Sequence, residues 1–156
     1  MPLTFELRST IAAPPERVFA GITDLDRMGE WMPGFVRIER LTEGPLRKGS
    51  QFRMTRRMFG REATEQFEVA DYDPPRVFGL FVDGTKGSSR SGWFRFRQTI
   101  APTGGGTHLV MSGECGGASG CMAFLGKLML GPMKKAMAKD LAAQKAWIEK
   151  GAATGS

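Results

Sequence analysis

The chain has 156 residues, 41% of them hydrophobic and 24% charged, with a formal net charge of +6. That length suits one domain with a real core, and no apolar run reaches the ~20 residues that span a bilayer. The positive charge sits on two scattered faces, Arg47, Lys48, Arg53, Arg56, Arg57 and Arg61 on one and the lysines of the last helical run on the other. Neither is an arginine-rich arm or a basic stripe with interleaved aromatics, so a solvated surface is expected in place of a nucleic-acid or anionic-membrane interface.

"MPLTFELRST" lacks a basic start followed by an apolar core, so no secretory leader is expected and the cytoplasm is the expected location. "LTFELRSTI" alternates as a first strand, with Leu3, Phe5 and Leu7 on one face. "APPERVF" then starts a short helix, since proline is tolerated in a first turn where its missing N–H would be unpaired anyway. Gly21 ends that helix, Asp24 is placed to cap a second short one, and Pro33 stops it.

Between Val36 and Cys115 the chain reads as six further strands, separated by the turn signals "EGPLRKG", "FGRE", "DPPR", "DGTKGSS" and "PTGGGT". From Ala118 to Glu149 β-branched residues become scarce, and Leu130, Met133, Met137, Leu141, Gln144 and Ile148 fall along one helical stripe. Gly131-Pro132 is expected to kink or split this helix, because proline donates no hydrogen bond and crowds the preceding turn. Residues 1–150 form the predicted single domain, and 151–156 read as a frayed, disordered tail. The predicted class is α+β: a seven-stranded, curved antiparallel sheet wrapped around a long C-terminal helix, with two short helices between the first and second strands. Such an arrangement readily leaves a cavity between sheet and helix.

The stretch from Ala13 to Phe35, "APPERVFAGITDLDRMGEWMPGF", resembles the start of the START-like, or SRPBCC, superfamily, which includes polyketide cyclases and birch-pollen-allergen-like proteins. Ala13, Pro14, Glu16, Val18, Phe19, Asp24, Trp31 and Pro33 carry the pattern. "GPLRKGSQF", "GGGTHLVM" and the closing "DLAAQKAWIE" are similar to later features of that superfamily. The resemblance covers nearly the whole chain and implies the helix-grip fold. Members of that superfamily bind hydrophobic ligands, cyclise or dehydrate polyketide-like substrates, or act as co-chaperone-like interaction domains, and many have no assigned activity. Fold alone does not choose among them.

Chemistry is sparse. His108 is the one histidine, and in "THLVMSGEC" it alternates away from Leu109 and Met111, so it is expected on the outer side of the sheet. Cys115 and Cys121 have neither metal-site nor redox spacing and read as free thiols. No metal or cofactor site is predicted, and glycine-rich "GECGGASGC" follows no parallel strand and lacks the lysine of a phosphate-cradling loop.

A tight turn at Phe59-Gly60 pairs Met58 with Arg61 and Arg57 with Glu62. The face opposite the Arg57–Glu62 pair then holds Phe52, Met54, Arg56, Ala63, Glu65, Phe67 and Val69, placing Arg56 and Glu65 diagonally among hydrophobes. Burying them is costly unless they bond each other or meet a ligand. They are therefore candidate anchors, and candidates for catalysis, with Glu65 as a general base. In "GWFRFRQTI" the inner face is Phe94, Phe96 and Gln98, with Arg95 and Arg97 turned to water. The predicted ligand-lining set is Arg56, Glu65, Gln98, Phe52, Met54, Phe67, Phe81, Phe94, Phe96, Met111, Met133 and Met137. Met122 and Met129 extend the methionines expected near the helix–sheet seam, where their adaptability suits variable apolar ligands. A small hydrophobic or amphipathic molecule is thus the expected partner. A cyclase- or dehydratase-type enzyme working without a metal is one alternative. An interaction domain using Lys134, Lys135 and Lys139 is the other.

Overall fold

The computed structural model describes residues 3–117 and 121–153, the side chains of 121–130 and 152–153 excepted. β1 (Leu3–Ile11) is followed by α1 (Pro15–Ile22) and a 3-10 helix (Leu25–Glu30). Then come β2 (Phe35–Arg40), β3 (Gln51–Met58), β4 (Arg61–Asp73), β5 (Val77–Asp83), β6 (Trp93–Thr103), β7 (Gly106–Gly116) and α2 (Cys121–Ala153). The seven strands form one antiparallel sheet in the order β1-β7-β6-β5-β4-β3-β2. Strands β2 to β7 run as a meander, and β1 closes against β7 at the far end of the chain's path. The helix-grip architecture read from the sequence is the one observed.

α1 starts on an extended Pro14 with Pro15 in its first turn and no side-chain cap. The ring supplies the required φ, and no donor is lost that the first turn could have used. Asp24 does not cap the following 3-10 helix. Thr23 organises the junction instead, its Oγ1 donating to the Phe19 carbonyl at 2.8 Å. A Cβ on Gly21 would stand 2.9 Å from Ile148 Cγ1, so glycine lets α1 lie directly on α2. α2 remains one helix across Gly131-Pro132 and extends to Ala153, three residues into the segment read as a tail.

The core has two centres. Ile11, Val18, Phe19, Ile22, Phe78, Ile100, Leu109, Leu141 and Ile148 pack where α1, the sheet and the C-terminal half of α2 meet. Leu25, Met28, Phe52, Met54, Phe67 and Val82 pack below the 3-10 helix. Each fully buried side chain of this size contributes about 1.5–3 kcal/mol relative to exposure. Wholly buried Thr107 donates from Oγ1 to the Ala13 carbonyl at 2.6 Å, fastening the start of β7 to the turn after β1. Leu3, Phe5 and Leu7 share the inner face of β1, and His108 stands opposite the buried Leu109 face. Among the described residues no helix is long and apolar enough to cross a membrane.

Candidate functional site

Between the two core centres the sheet and α2 do not meet, and a cavity of about 400 Å³ remains. The two-residue period of the strands builds its wall. Phe52, Met54 and Arg56 come from β3, Ala63, Glu65 and Phe67 from β4, Phe78, Leu80 and Val82 from β5, Phe94, Phe96 and Gln98 from β6, and Met111 from β7. Met133, Met137, Asp140, Leu141 and Gln144 project from α2, while Met28, Trp31 and Met32 close one end. Phe52 and Phe67 stack at 5.1 Å, and Phe94 and Phe96 at 6.3 Å, so much of the wall is flat aromatic surface. The side chains of Met122 and Met129 lie outside the described residues, as does that of Cys121.

Eleven of the twelve predicted lining residues face this cavity, and Phe81 does not. Phe78, Leu80 and Val82 occupy the inner face of β5, which leaves Phe81 outside, stacked on Trp93 at 6.3 Å with the Arg95 guanidinium 5.6 Å from its ring.

The hairpin register is the expected one, with Met58 opposite Arg61, Arg57 opposite Glu62, and Arg56 and Glu65 diagonal. Arg57 and Glu62 pair at 3.1 Å on the outer face. Arg56 and Glu65, however, do not bond each other. Arg56 reaches across to the helix in a two-pronged ion pair, Nη1 to Asp140 Oδ2 at 3.0 Å and Nη2 to Asp140 Oδ1 at 2.9 Å. Nη2 also donates to the Pro33 carbonyl at 2.8 Å, joining β3, α2 and the β2 approach. Both side chains of the pair are only 12% exposed. Glu65 turns instead to the β5–β6 connection, where Oε1 accepts from Ser89 N at 2.8 Å and Ser89 Oγ at 2.6 Å.

Asp140, Ser89 and Gln144 are lining residues absent from the predicted set. Gln144 was visible as the one polar member of the α2 stripe, and Asp140 as an acid one place before Leu141 on that stripe. Ser89 carried no signal, because only the folded loop brings it to β4.

Five buried side-chain atoms lack a hydrogen-bond partner among the described residues: Trp31 Nε1, Arg56 Nε, Glu65 Oε2, Gln98 Oε1 and Gln144 Oε1. All five belong to residues lining this one cavity. An unpaired buried polar group costs about 1–3 kcal/mol, so their concentration here distinguishes the cavity from an ordinary packing gap. A groove also lies on the outside between α1 and the end of α2. Three of its side chains serve one another: Arg27 bonds Glu30 at 3.0 Å, Trp147 Nε1 donates to Glu30 at 3.3 Å, and Arg27 covers the Trp147 ring.

Comparison with known families matches residues 2–149 to the family described as polyketide cyclase / dehydrase and lipid transport. The chain belongs to that family. Among solved structures, this family member is similar to the Zhui aromatase/cyclase from Streptomyces sp. R1128, 20% identical over 96% of this chain and 95% of that one, with a TM-score of 0.80. It is also similar to Ara h 8.0201, 16% identical over 95% and 98% of the two chains, TM-score 0.73. A third, TTHA0849 from Thermus thermophilus, is 18% identical, covering 99% of both chains, TM-score 0.70. At these identities the likeness concerns the fold. Comparison with curated proteins finds no match.

Proposed function

We propose that this protein binds a small, mainly apolar molecule carrying hydroxyl groups in the cavity between sheet and α2. The observation that supports it most directly is that five residues of an otherwise aromatic and methionine-rich wall each carry a buried polar atom with no partner among the described residues. A volume of about 400 Å³ lies within the usual small-molecule range. Stacked phenylalanine pairs suit a flat skeleton. Hydroxyl groups both donate and accept, so where these side chains turn toward an occupant its hydroxyls can answer the Trp31 and Arg56 N–H groups as well as the glutamine and Glu65 oxygens. A fully ionised carboxylate suits the site less well, because Asp140 already occupies the broad side of the Arg56 guanidinium.

The test is native mass spectrometry of the purified protein, followed by calorimetric titration with dihydroxynaphthalene and with dimethoxynaphthalene. A co-purifying apolar mass and clear preference for the dihydroxy compound are expected. Equal affinity for the two would remove the role given to the polar atoms, and no binding of either would remove the reading for flat hydroxylated ligands.

A second reading, supported by the position of Glu65, is a cyclase- or dehydratase-type enzyme. Ser89 fixes one carboxylate oxygen and leaves the other unpaired and buried beside Gly87, so work as a general base requires the carboxylate to turn toward the substrate. Conversion of a linear poly-β-ketone thioester to an aromatic product, lost in Glu65→Gln, is its signature. Unchanged conversion in that variant would take the role from Glu65.

A further inference from the structure

The β3–β4 turn breaks two local rules at one residue. Met58 pairs with Arg61 across a two-residue turn in which Phe59 has φ 52° and Gly60 φ 78°. Left-handed backbone at both positions is the type I′ hairpin turn, whose first position favours asparagine, aspartate or glycine. A bulky aromatic there is conformationally unfavourable. Its ring offers no compensation through burial, because Phe59 is 64% exposed, the most exposed of the large apolar residues described. When a residue costs the fold in two ways, a role outside the fold is the first explanation to test.

The surroundings indicate the role. Met58, Phe59 and Arg61 line the cavity from the hairpin side, so the turn lies at its mouth. From the helix side Met133 lines the same cavity, two turns before Asp140, and the exposed Lys134 and Lys135 follow it. Glu62 answers Arg57, while Arg61, Lys134 and Lys135 take part in no ion pair among the described residues. An exposed aromatic with an unanswered cation two residues on, and two more following a methionine of the same cavity, has the composition that engages anionic lipid headgroups, with the ring at the headgroup–acyl boundary and the charges against phosphate and carboxylate.

We propose that the β3–β4 tip and the neighbouring lysines of α2 form a reversible docking surface for an anionic membrane, placing the cavity mouth at the lipid surface. Such docking departs from the expectation, read from the sequence, of a solvated basic surface in place of an anionic-membrane interface. Few contacts are involved, which suits a protein that lands and leaves. Membrane docking can be measured whether or not the cavity's occupant is known, so its failure leaves the ligand-binding reading standing.

The experiment is co-sedimentation of the full chain with phosphatidylcholine vesicles made with and without phosphatidylserine. Binding is expected only with phosphatidylserine and should weaken as salt is added. Arg61→Glu, or Lys134→Glu with Lys135→Glu, should lower binding by at least about fivefold for each charge removed. Phe59→Asn is the decisive variant: asparagine fits the left-handed position, so its Tm should equal or exceed the parent's while vesicle binding falls about tenfold or more. No binding to phosphatidylserine vesicles, or parental binding by a folded Phe59→Asn, overturns the proposal. So does a self-associated species in sedimentation velocity that Phe59→Asn abolishes, because the tip would then be covered by a second copy.

Discussion

Arg56 shows how much a single residue's role depends on what crosses to meet it. Its position on the inner face of β3 follows from strand alternation, but its partner is Asp140 on α2, 84 residues away. Breaking a largely buried pair strands the other charge, so Arg56→Met and Asp140→Leu should each cost about 3 kcal/mol in urea unfolding. The double variant should lose much less than the sum, because neither charge is then left unanswered. Gln144 makes the opposite trade. It is 3% exposed with Oε1 unpaired, so Gln144→Leu should raise stability by about 1 kcal/mol while weakening dihydroxynaphthalene binding. Cys115 gives a pH signature: burial pushes its thiol up, and neighbouring Glu114 adds to the effect. The folded thiol keeps its proton to higher pH than the unfolded one. Its stabilising contribution is therefore complete below the unfolded thiol's value and is lost as pH rises through the folded value. In a Cys121→Ser background, alkylation by iodoacetamide at mildly alkaline pH should be slower than for a model thiol, and Glu114→Gln should accelerate it.

At the scale of elements, the β3–β4 hairpin was fully legible, because a two-residue turn leaves one register and the apolar residues choose the inner face. The approach to β2 was less so. Gly34 has φ +74°, and a Cβ there would collide with the Arg57 carbonyl oxygen. Its own carbonyl accepts from Arg57 N at 2.7 Å, which seats Pro33 where Arg56 can reach it. Gly34→Ala is expected to cost at least about 2 kcal/mol and to loosen the cavity wall, checked by thermal unfolding and by protection of the Arg57 amide from hydrogen exchange. Pro33 marked this place in the sequence as the end of the preceding helix. That the loop would serve as a hydrogen-bond partner for β3 could not be read, since it depends on how β2 enters the sheet, through the register shift between Phe35 and Arg37.

At the scale of the whole molecule, two packed clusters flank the cavity, which opens toward the β3–β4 hairpin. Val18, Phe19 and Ile148 close one end and Leu25, Met28 and Phe52 another, so the cavity does not need to collapse for the domain to be stable. An occupant that binds only the folded state stabilises it by mass action, about 2.7 kcal/mol at a free concentration one hundred times its Kd. For a domain of this length that corresponds to a rise in Tm of roughly 5–10 °C. Differential scanning fluorimetry with dihydroxynaphthalene should show it. The rise should shrink in Gln144→Leu even though that variant starts from a higher Tm.

Strand alternation, turn residues, the proline-marked helix start and the α2 stripe determined the fold class and most of the cavity wall. These are local signals, written in periods of two and 3.6 residues, and they survive without knowledge of what lies opposite. The outward position of Phe81, the Arg56–Asp140 pair, the Ser89 grip on Glu65 and the clustering of unpaired polar atoms were decided only by tertiary structure. Each depends on which element packs against which. Hydrogen bonds and ion pairs act over a few ångströms in space, whatever the separation along the chain.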